Sequence, residues 1–104
     1  MRSGRVWEAL ADFATGNSLD ERLITALHDV AMSGRVRRTR YEQNEGLNLQ
    51  QAQRDLRELV RRQILAPVGR TRARFYVAGP TFPETVLEIA RTPITLTDPD
   101  AVTS

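Results

Sequence analysis

Apolar residues recur three and four positions apart along much of this chain, which is the spacing of amphipathic helices. The first stripe predicts a helix over residues 5–15. The sequence Ser-Leu-Asp-Glu then predicts a capping box, in which the side chains of Ser18 and Glu21 satisfy each other's backbone donors. The helix that it opens is expected to run to about Ser33, and a short extended segment is expected around Val36.

Short-range signals predict a pair of helices in the middle of the chain. Thr39 and Glu42 form a second capping-box sequence, and the helix that they begin must be short because Gly46 follows. Gly46 opens a tight turn of three residues. Asn48 is a favoured N-cap for the next helix, and Gln51 stands at the position that completes a box. We therefore expect two helices joined by a three-residue turn.

The second helix of this pair is amphipathic. Its apolar face is predicted to comprise Ala52, Leu56, Leu59, Val60 and Gln63. Its opposite face carries a row of polar and cationic residues, namely Gln50, Arg54, Arg57 and Arg61. The first face predicts burial against a core, and the second predicts a surface exposed to solvent or to a partner.

The residues after this helix predict a β-hairpin and a last helix. Residues 64–68 and 74–78 are short β-type runs, and five residues that include a glycine join them. Pro67 within the first run indicates an edge strand, because proline has no N–H for the ladder. Residues 81–91 then have helical spacing, with Pro83 in the first turn.

This order of elements predicts a fold class that is mainly α with a small β-hairpin. Two helices joined by a three-residue turn make a helix-turn-helix, and a hairpin directly behind them makes it a winged helix-turn-helix. The expected architecture is a three-helical core plus a wing, with flanking helices at both ends. Its predicted divisions are residues 1–17 for the N-terminal flanking helix, 18–80 for the winged domain, 81–91 for the C-terminal helix and 92–104 for a flexible tail.

Charge is segregated along the chain. All fifteen cationic side chains are arginine, and the formal net charge is only +2. Codon usage in a GC-rich genome would also explain the choice of arginine over lysine. The segment from Arg35 to Arg74 contains eleven arginines and four acids, so it carries +7 and the remainder of the chain carries −5. A basic middle of this kind points to a polyanionic partner.

The run from Gly46 to Leu65 resembles the winged helix-turn-helix of the DeoR type. Residues 19–79 look most like the winged-helix domain that lies C-terminal to the catalytic domain in Fic-family proteins. The residues that carry this likeness are Tyr41, Gly46, Leu47, the Arg-Asp-Leu at 54–56, Leu59, Ile64, Leu65, Gly69, Arg72 and Tyr76. Three positions depart from the pattern, namely Asn44 in place of an apolar residue, Asn48 in place of serine and Gln63 in place of glycine.

The resemblance implies binding to double-stranded DNA, either as a transcriptional regulator or as the DNA-binding C-terminal domain of a Fic-like protein. The second paired helix would enter the major groove, and its base-reading residues would be Gln50, Gln51, Gln53, Arg54 and Arg57. Phosphates would contact Arg35, Arg37, Arg38, Arg40 and the helix start at Asn48. Arg70, Arg72 and Arg74 alternate along the hairpin tip, so they are expected to point the same way, toward phosphates or the minor groove.

The arginines of the second paired helix also have a plain alternative. Arg61 and Arg62 follow Glu58 by three and four positions, which predicts ion pairs within the helix. Arg54 can pair with Glu58 or Asp55 instead of reading bases.

Two further alternatives concern partners. Trp7 and Phe82 belong either to one core between the first and last helices or to an exposed patch, and the patch would form a homodimer through Trp7 and residues 82–91. Winged helices also dock proteins, so the alternative function is an interaction module for a Fic catalytic domain or another partner. The Fic catalytic motif itself is absent, which leaves either a fragment of a longer protein or a free-standing relative.

Candidate catalytic chemistry is sparse in this sequence. His28 is the only histidine, cysteine is absent, and no base stands ready to activate Ser18, Ser33 or Thr39. We therefore expect no enzyme activity, no metal and no cofactor. No apolar run approaches the ~20 residues of a membrane span, and the first residues lack the apolar core of a signal peptide, so we expect a cytoplasmic protein without membrane contact.

Overall fold

The computed structural model describes residues 2–91, with side chains from residue 4 onwards. Within that part of the chain, the elements in order are α1 (Arg2–Gly16), α2 (Leu23–Ser33), α3 (Arg38–Glu45), α4 (Leu49–Arg61), β1 (Leu65–Val68), β2 (Phe75–Ala78) and α5 (Glu84–Arg91). The protein is mainly helical with a small two-stranded antiparallel sheet, which confirms the predicted class. The predicted tail over residues 92–104 lies outside the described residues.

One core joins all five helices of residues 2–91 to the hairpin. Leu10 of α1, Leu27 of α2 and Leu56 of α4 are fully enclosed in it. Phe82 is buried just before α5, and α5 packs against α1, so for Phe82 the shared core is the correct one of the two alternatives. Trp7 differs from that expectation, because 42% of it is exposed and its ring lies against His28, with 5.4 Å between ring centroids.

The hairpin is shorter at its tip than predicted. Leu65 pairs with Ala78 and Val68 pairs with Phe75, so each strand has four residues and residues 69–74 connect them. The connection contains a 3-10 turn at Thr71–Ala73. Val36 bridges the free edge of β2 through two 2.9 Å hydrogen bonds with Tyr76, which confirms the extended segment there. β1 is therefore the edge strand, as Pro67 predicts.

The capping box at the start of α4 forms as predicted. The Asn48 side chain accepts the Gln51 N–H at 2.8 Å, and the Gln51 side chain accepts the Asn48 N–H at 3.2 Å. Gly46 ends α3 with φ at 63°, a left-handed conformation that glycine adopts without steric cost. These three residues fix the turn between the two helices.

The two earlier capping boxes are wrong. Ser18 takes φ of 55° in a turn where Leu19 donates to the Ala14 carbonyl at 2.9 Å, so α2 begins only at Leu23. Thr39 lies inside the first turn of α3, because the extended residue before that helix is Arg37. Neither helix has a side-chain cap.

Gln63 was predicted on the apolar face of α4, but it lies beyond the helix end and is exposed. The Ile64 N–H donates to the Leu59 carbonyl and the Gln63 N–H donates to the Val60 carbonyl, both at 2.9 Å. This is the Schellman pattern, in which the residue at the position of Gln63 must be left-handed. Its φ is 64°, so glutamine here takes a conformation that glycine would adopt more easily.

Replacing Gln63 with glycine is expected to raise the free energy of unfolding by about 0.5–1 kcal/mol. A left-handed residue with a Cβ costs roughly 1–2 kcal/mol, while the greater unfolded-state entropy of glycine costs about 0.5–1 kcal/mol. Guanidinium denaturation followed by circular dichroism measures the difference. Gln63→Ala is the control, since it keeps the Cβ and is expected to gain nothing. A glycine variant no more stable than the alanine variant would disprove this account of the helix exit.

Candidate nucleic-acid interface

Arginines from two separate segments surround one open hollow. The Val36–Tyr76 bridge fastens the chain just before α3 onto β2, so the start of α3 lies beside the connection between the strands. The hollow has a volume of about 470 Å³, and its lining residues are Arg37, Arg38, Thr39, Gln53, Thr71, Arg72, Arg74 and Tyr76. We call it the arginine hollow. It brings together predicted interface residues from α3, α4 and the hairpin.

The guanidinium groups of this hollow are largely uncompensated. Within residues 2–91, Arg37, Arg72 and Arg74 form no ion pair. Arg38 pairs with Glu42 one turn along α3. Arginine presents several N–H donors in a planar fork that matches phosphate and carboxylate oxygens. The hollow therefore suits an anionic ligand.

The side chains of the three arginines in the hairpin connection do not lie in one row. The prediction that Arg70, Arg72 and Arg74 point the same way assumed a strand, in which alternate side chains share a face. The 3-10 turn at Thr71–Ala73 breaks that alternation. Arg72 and Arg74 line the arginine hollow, whereas Arg70 is exposed outside its lining.

The outer face of α4 is exposed, as predicted, and Gln53 on it lines the arginine hollow. Arg54 lies toward the other side, in a depression that it shares with Asp20, Asp55 and Glu58. It forms no ion pair with any residue that the structure describes. Three acidic residues line this depression beside Arg54 and Arg62, so Arg54 is a weaker candidate for an anion than the arginines of the hollow.

Glu58 pairs with both arginines at the end of α4, which confirms the predicted ion pairs. Arg61 and Arg62 both donate to Glu58, through their Nε atoms at 3.0 and 2.8 Å. Hydrogen bonds from Arg61 and Arg62 lower the pKa of Glu58 to about 2. Arg62 also donates to the Asn17 carbonyl at 2.7 Å, so it fastens the end of α4 to the turn after α1.

Several predicted contact residues are engaged within the fold. The Arg40 Nε lies 3.2 Å from Asp29 Oδ2, and Arg35 stacks over the Phe75 ring at 5.1 Å. Asn48 and Gln51 use their side chains for the capping box. These residues shape the surface, and their side-chain groups are less available to a ligand than those of the arginine hollow.

The sequence interpretation missed a buried ion pair beneath this face. Arg22 donates to both oxygens of Asp55, at 2.7 and 2.9 Å, and the Tyr41 hydroxyl donates to Asp55 Oδ2 at 2.7 Å. Asp55 is only 6% exposed. The cluster therefore ties α4 to α3 and to the turn before α2. One signal was present in the sequence, because Asp55 lies between Ala52 and Leu59 on the inner side of α4.

The cluster shifts the pKa of each member. Burial alone raises the pKa of the Asp55 carboxyl, but hydrogen bonds from Arg22 and Tyr41 outweigh burial and hold it below its usual value. Burial, together with the hydrogen bond to Asp55, raises the pKa of Tyr41. The hydrogen bond to Asp55 also raises the pKa of Arg22. Asp55 is thus ionised and Tyr41 protonated at neutral pH, which keeps the contact intact.

Comparison with known proteins finds no matching family, no matching curated protein and no matching solved structure. Among residues 2–91, no helix has the length and apolar content needed to cross a membrane. The same residues contain no group of three or more side chains arranged to hold a metal ion. The function is therefore argued from the arginine hollow and the helix beside it.

Proposed function

We propose that this chain is a winged helix-turn-helix module that binds double-stranded DNA. In this assignment α3 and α4 are the paired helices, residues 46–48 are their turn, and the hairpin of β1 and β2 is the wing. The observation that carries the proposal is the arginine hollow, where unpaired arginines of the hairpin connection meet those at the start of α3. The charges in the sequence alone do not predict that these two segments lie side by side.

The proposed complex places α4 in the major groove. Polar residues are exposed along its N-terminal half, namely Gln50, Gln51, Gln53 and Arg54. A duplex groove about 12 Å wide admits an α-helix. Arg37 would then contact the phosphates on one side of the groove. Arg72 and Arg74 would contact the phosphates next to the wing. Phosphate contacts of this kind fix register and orientation, while side chains of α4 read the base edges.

The resemblance to DeoR-type and Fic-associated winged helices is part of the same proposal. It favours a transcriptional regulator or the DNA-binding C-terminal domain of a Fic-like protein. The +7 charge between Arg35 and Arg74 supports either role, because both require attraction to a polyanion.

A protein-docking role is the second candidate, and exposed Trp7 favours it. A large aromatic side chain that is 42% exposed on α1 is a suitable anchor for a second copy of the chain or for a catalytic domain. Trp7 is not among the residues that line the arginine hollow. Docking there and DNA binding at the hollow are therefore separable by experiment.

Binding of random-sequence duplex DNA is expected to weaken steeply with salt. Six exposed arginines on the wing side lack an ion pair within residues 2–91, namely Arg35, Arg37, Arg57, Arg70, Arg72 and Arg74. If about five phosphates are neutralised, log affinity falls against log salt with a slope of roughly −4 to −5. Fluorescence anisotropy across a salt series measures this slope. Absent or salt-independent binding would reject the DNA proposal and leave the docking role.

A further inference from the structure

The exposed face of α4 has two halves that differ in their surroundings. Gln53 lines the arginine hollow, and Arg57 and Gln50 lie next to it around the exposed face of the helix, between Gln53 and Arg54. All three are exposed, and within residues 2–91 their side chains make no hydrogen bond and no ion pair. Their side-chain donors and acceptors are available to a ligand in the groove.

The other two predicted base readers are placed differently. The Gln51 side chain accepts the Asn48 N–H at 3.2 Å, so its amide oxygen holds the start of the helix. Arg54 lies in the depression with Asp20 and Glu58, on the half of α4 away from the hollow. A duplex centred on the arginine hollow would meet Gln50, Gln53 and Arg57 before either of these.

We infer that Gln50, Gln53 and Arg57 determine which base sequence the chain prefers, and that this sequence contains adenines beside a guanine. The inference rests on the proposed DNA binding. Glutamine pairs with the N6 and N7 edge of adenine through two hydrogen bonds, and arginine pairs likewise with O6 and N7 of guanine. No acidic side chain shares this half of the helix, so the carboxylate contacts that favour cytosine are absent there.

The spacing of the three residues sets the length of the preferred sequence. Seven positions separate Gln50 from Arg57, which is about 10 Å along a helix that rises 1.5 Å per residue. Stacked base pairs are about 3.4 Å apart, so this distance corresponds to roughly three base-pair steps. The two adenines and the guanine are therefore expected within about four neighbouring base pairs.

The test is enrichment from a pool of duplexes randomised over about 10 base pairs, one turn of the helix. The intact chain is expected to enrich adenine at two positions and guanine at a third. Arg57→Gln is the decisive variant, because it is expected to convert the guanine preference to adenine while binding persists. Gln50→Ala and Gln53→Ala are each expected to reduce discrimination at one adenine by roughly five-fold or more. Arg54→Ala is the matched control and is expected to leave the preferred sequence unchanged.

The outcomes separate this inference from the proposed function. Binding without any enriched sequence, or an enriched sequence that Arg57→Gln leaves unaltered, overturns the inference and leaves DNA binding standing. A preference that changes only with Arg54→Ala assigns readout to the other half of α4 and also overturns it. If the intact chain binds no duplex, both proposals are refuted. Circular dichroism of each variant confirms that α4 is retained.

Discussion

Replacing Asp55 with alanine is expected to lower the free energy of unfolding by about 3 kcal/mol. Removing one partner of a buried ion pair typically costs 3–5 kcal/mol, because the other charge is left uncompensated. Here the Arg22 side chain is 33% exposed and can be rehydrated, which favours the lower end of that range. The Tyr41 hydroxyl is fully enclosed and loses its acceptor, which adds to the loss. Urea denaturation measures the effect.

Asp20→Ala is the matched control for this prediction. Asp20 accepts from the same arginine at 2.8 Å, but its side chain is 55% exposed, so its removal is expected to cost less than about 1 kcal/mol. Tyr41→Phe keeps the pair with Arg22 and is expected to cost about 1–1.5 kcal/mol. Equal losses for Asp55→Ala and Asp20→Ala would show that the buried cluster contributes no more than a surface pair.

Acid pH gives a second readout of the same carboxylate. The pKa of Asp55 is lower in the folded chain than in the unfolded one, where it is about 3.9. Its contribution to the free energy of unfolding is therefore complete when the pH is above the unfolded-state pKa. It is lost as the pH falls toward the folded-state pKa. When the pH is lowered from roughly 6, the free energy of unfolding of Asp55→Asn is expected to fall less steeply than that of the intact chain.

Local sequence signals predicted the elements wherever the deciding contacts are themselves local. Asn48 and Gln51 are three residues apart, and Glu58 and Arg62 are four apart, and both contacts form as expected. Ser18 shows the limit of such signals, because it has the sequence of a cap but its backbone closes the turn after α1. A capping sequence forms a cap only where the end of the preceding helix allows it. The spacing of apolar residues does not predict which of the two structures the backbone adopts.

The candidate site depends on contacts between residues far apart in the sequence, so only part of it could be predicted. Arg22 and Asp55 are 33 positions apart, and Arg40 and Asp29 are 11 apart. Pairing across such distances follows from packing, which a count of charges along the chain does not reveal. The 3-10 turn around Arg72 was likewise hidden, although the hairpin itself was predicted.

Arg72→Glu is expected to weaken duplex binding by roughly one to two orders of magnitude at every DNA sequence. Loss of a charge-assisted hydrogen bond to phosphate costs about 1.5–3 kcal/mol, and the new carboxylate repels the same phosphate. Arg72 has no acidic partner in the described chain, so all of its charge is available to DNA. Because one fewer phosphate is neutralised, the salt slope is expected to become shallower by about one. Anisotropy titrations of several duplexes measure both quantities.

Arg61→Glu makes the same change in net charge and is therefore the matched control. Arg61 is 68% exposed on α4, but it is paired with Glu58, at the end of the helix away from the hollow. Its reversal is expected to change affinity less than about three-fold, through the long-range field of the chain alone. If both variants weaken binding equally, only the total charge of the chain matters. If Arg72→Glu alone weakens it, the effect depends on where the guanidinium lies, which is what a wing in contact with phosphates requires.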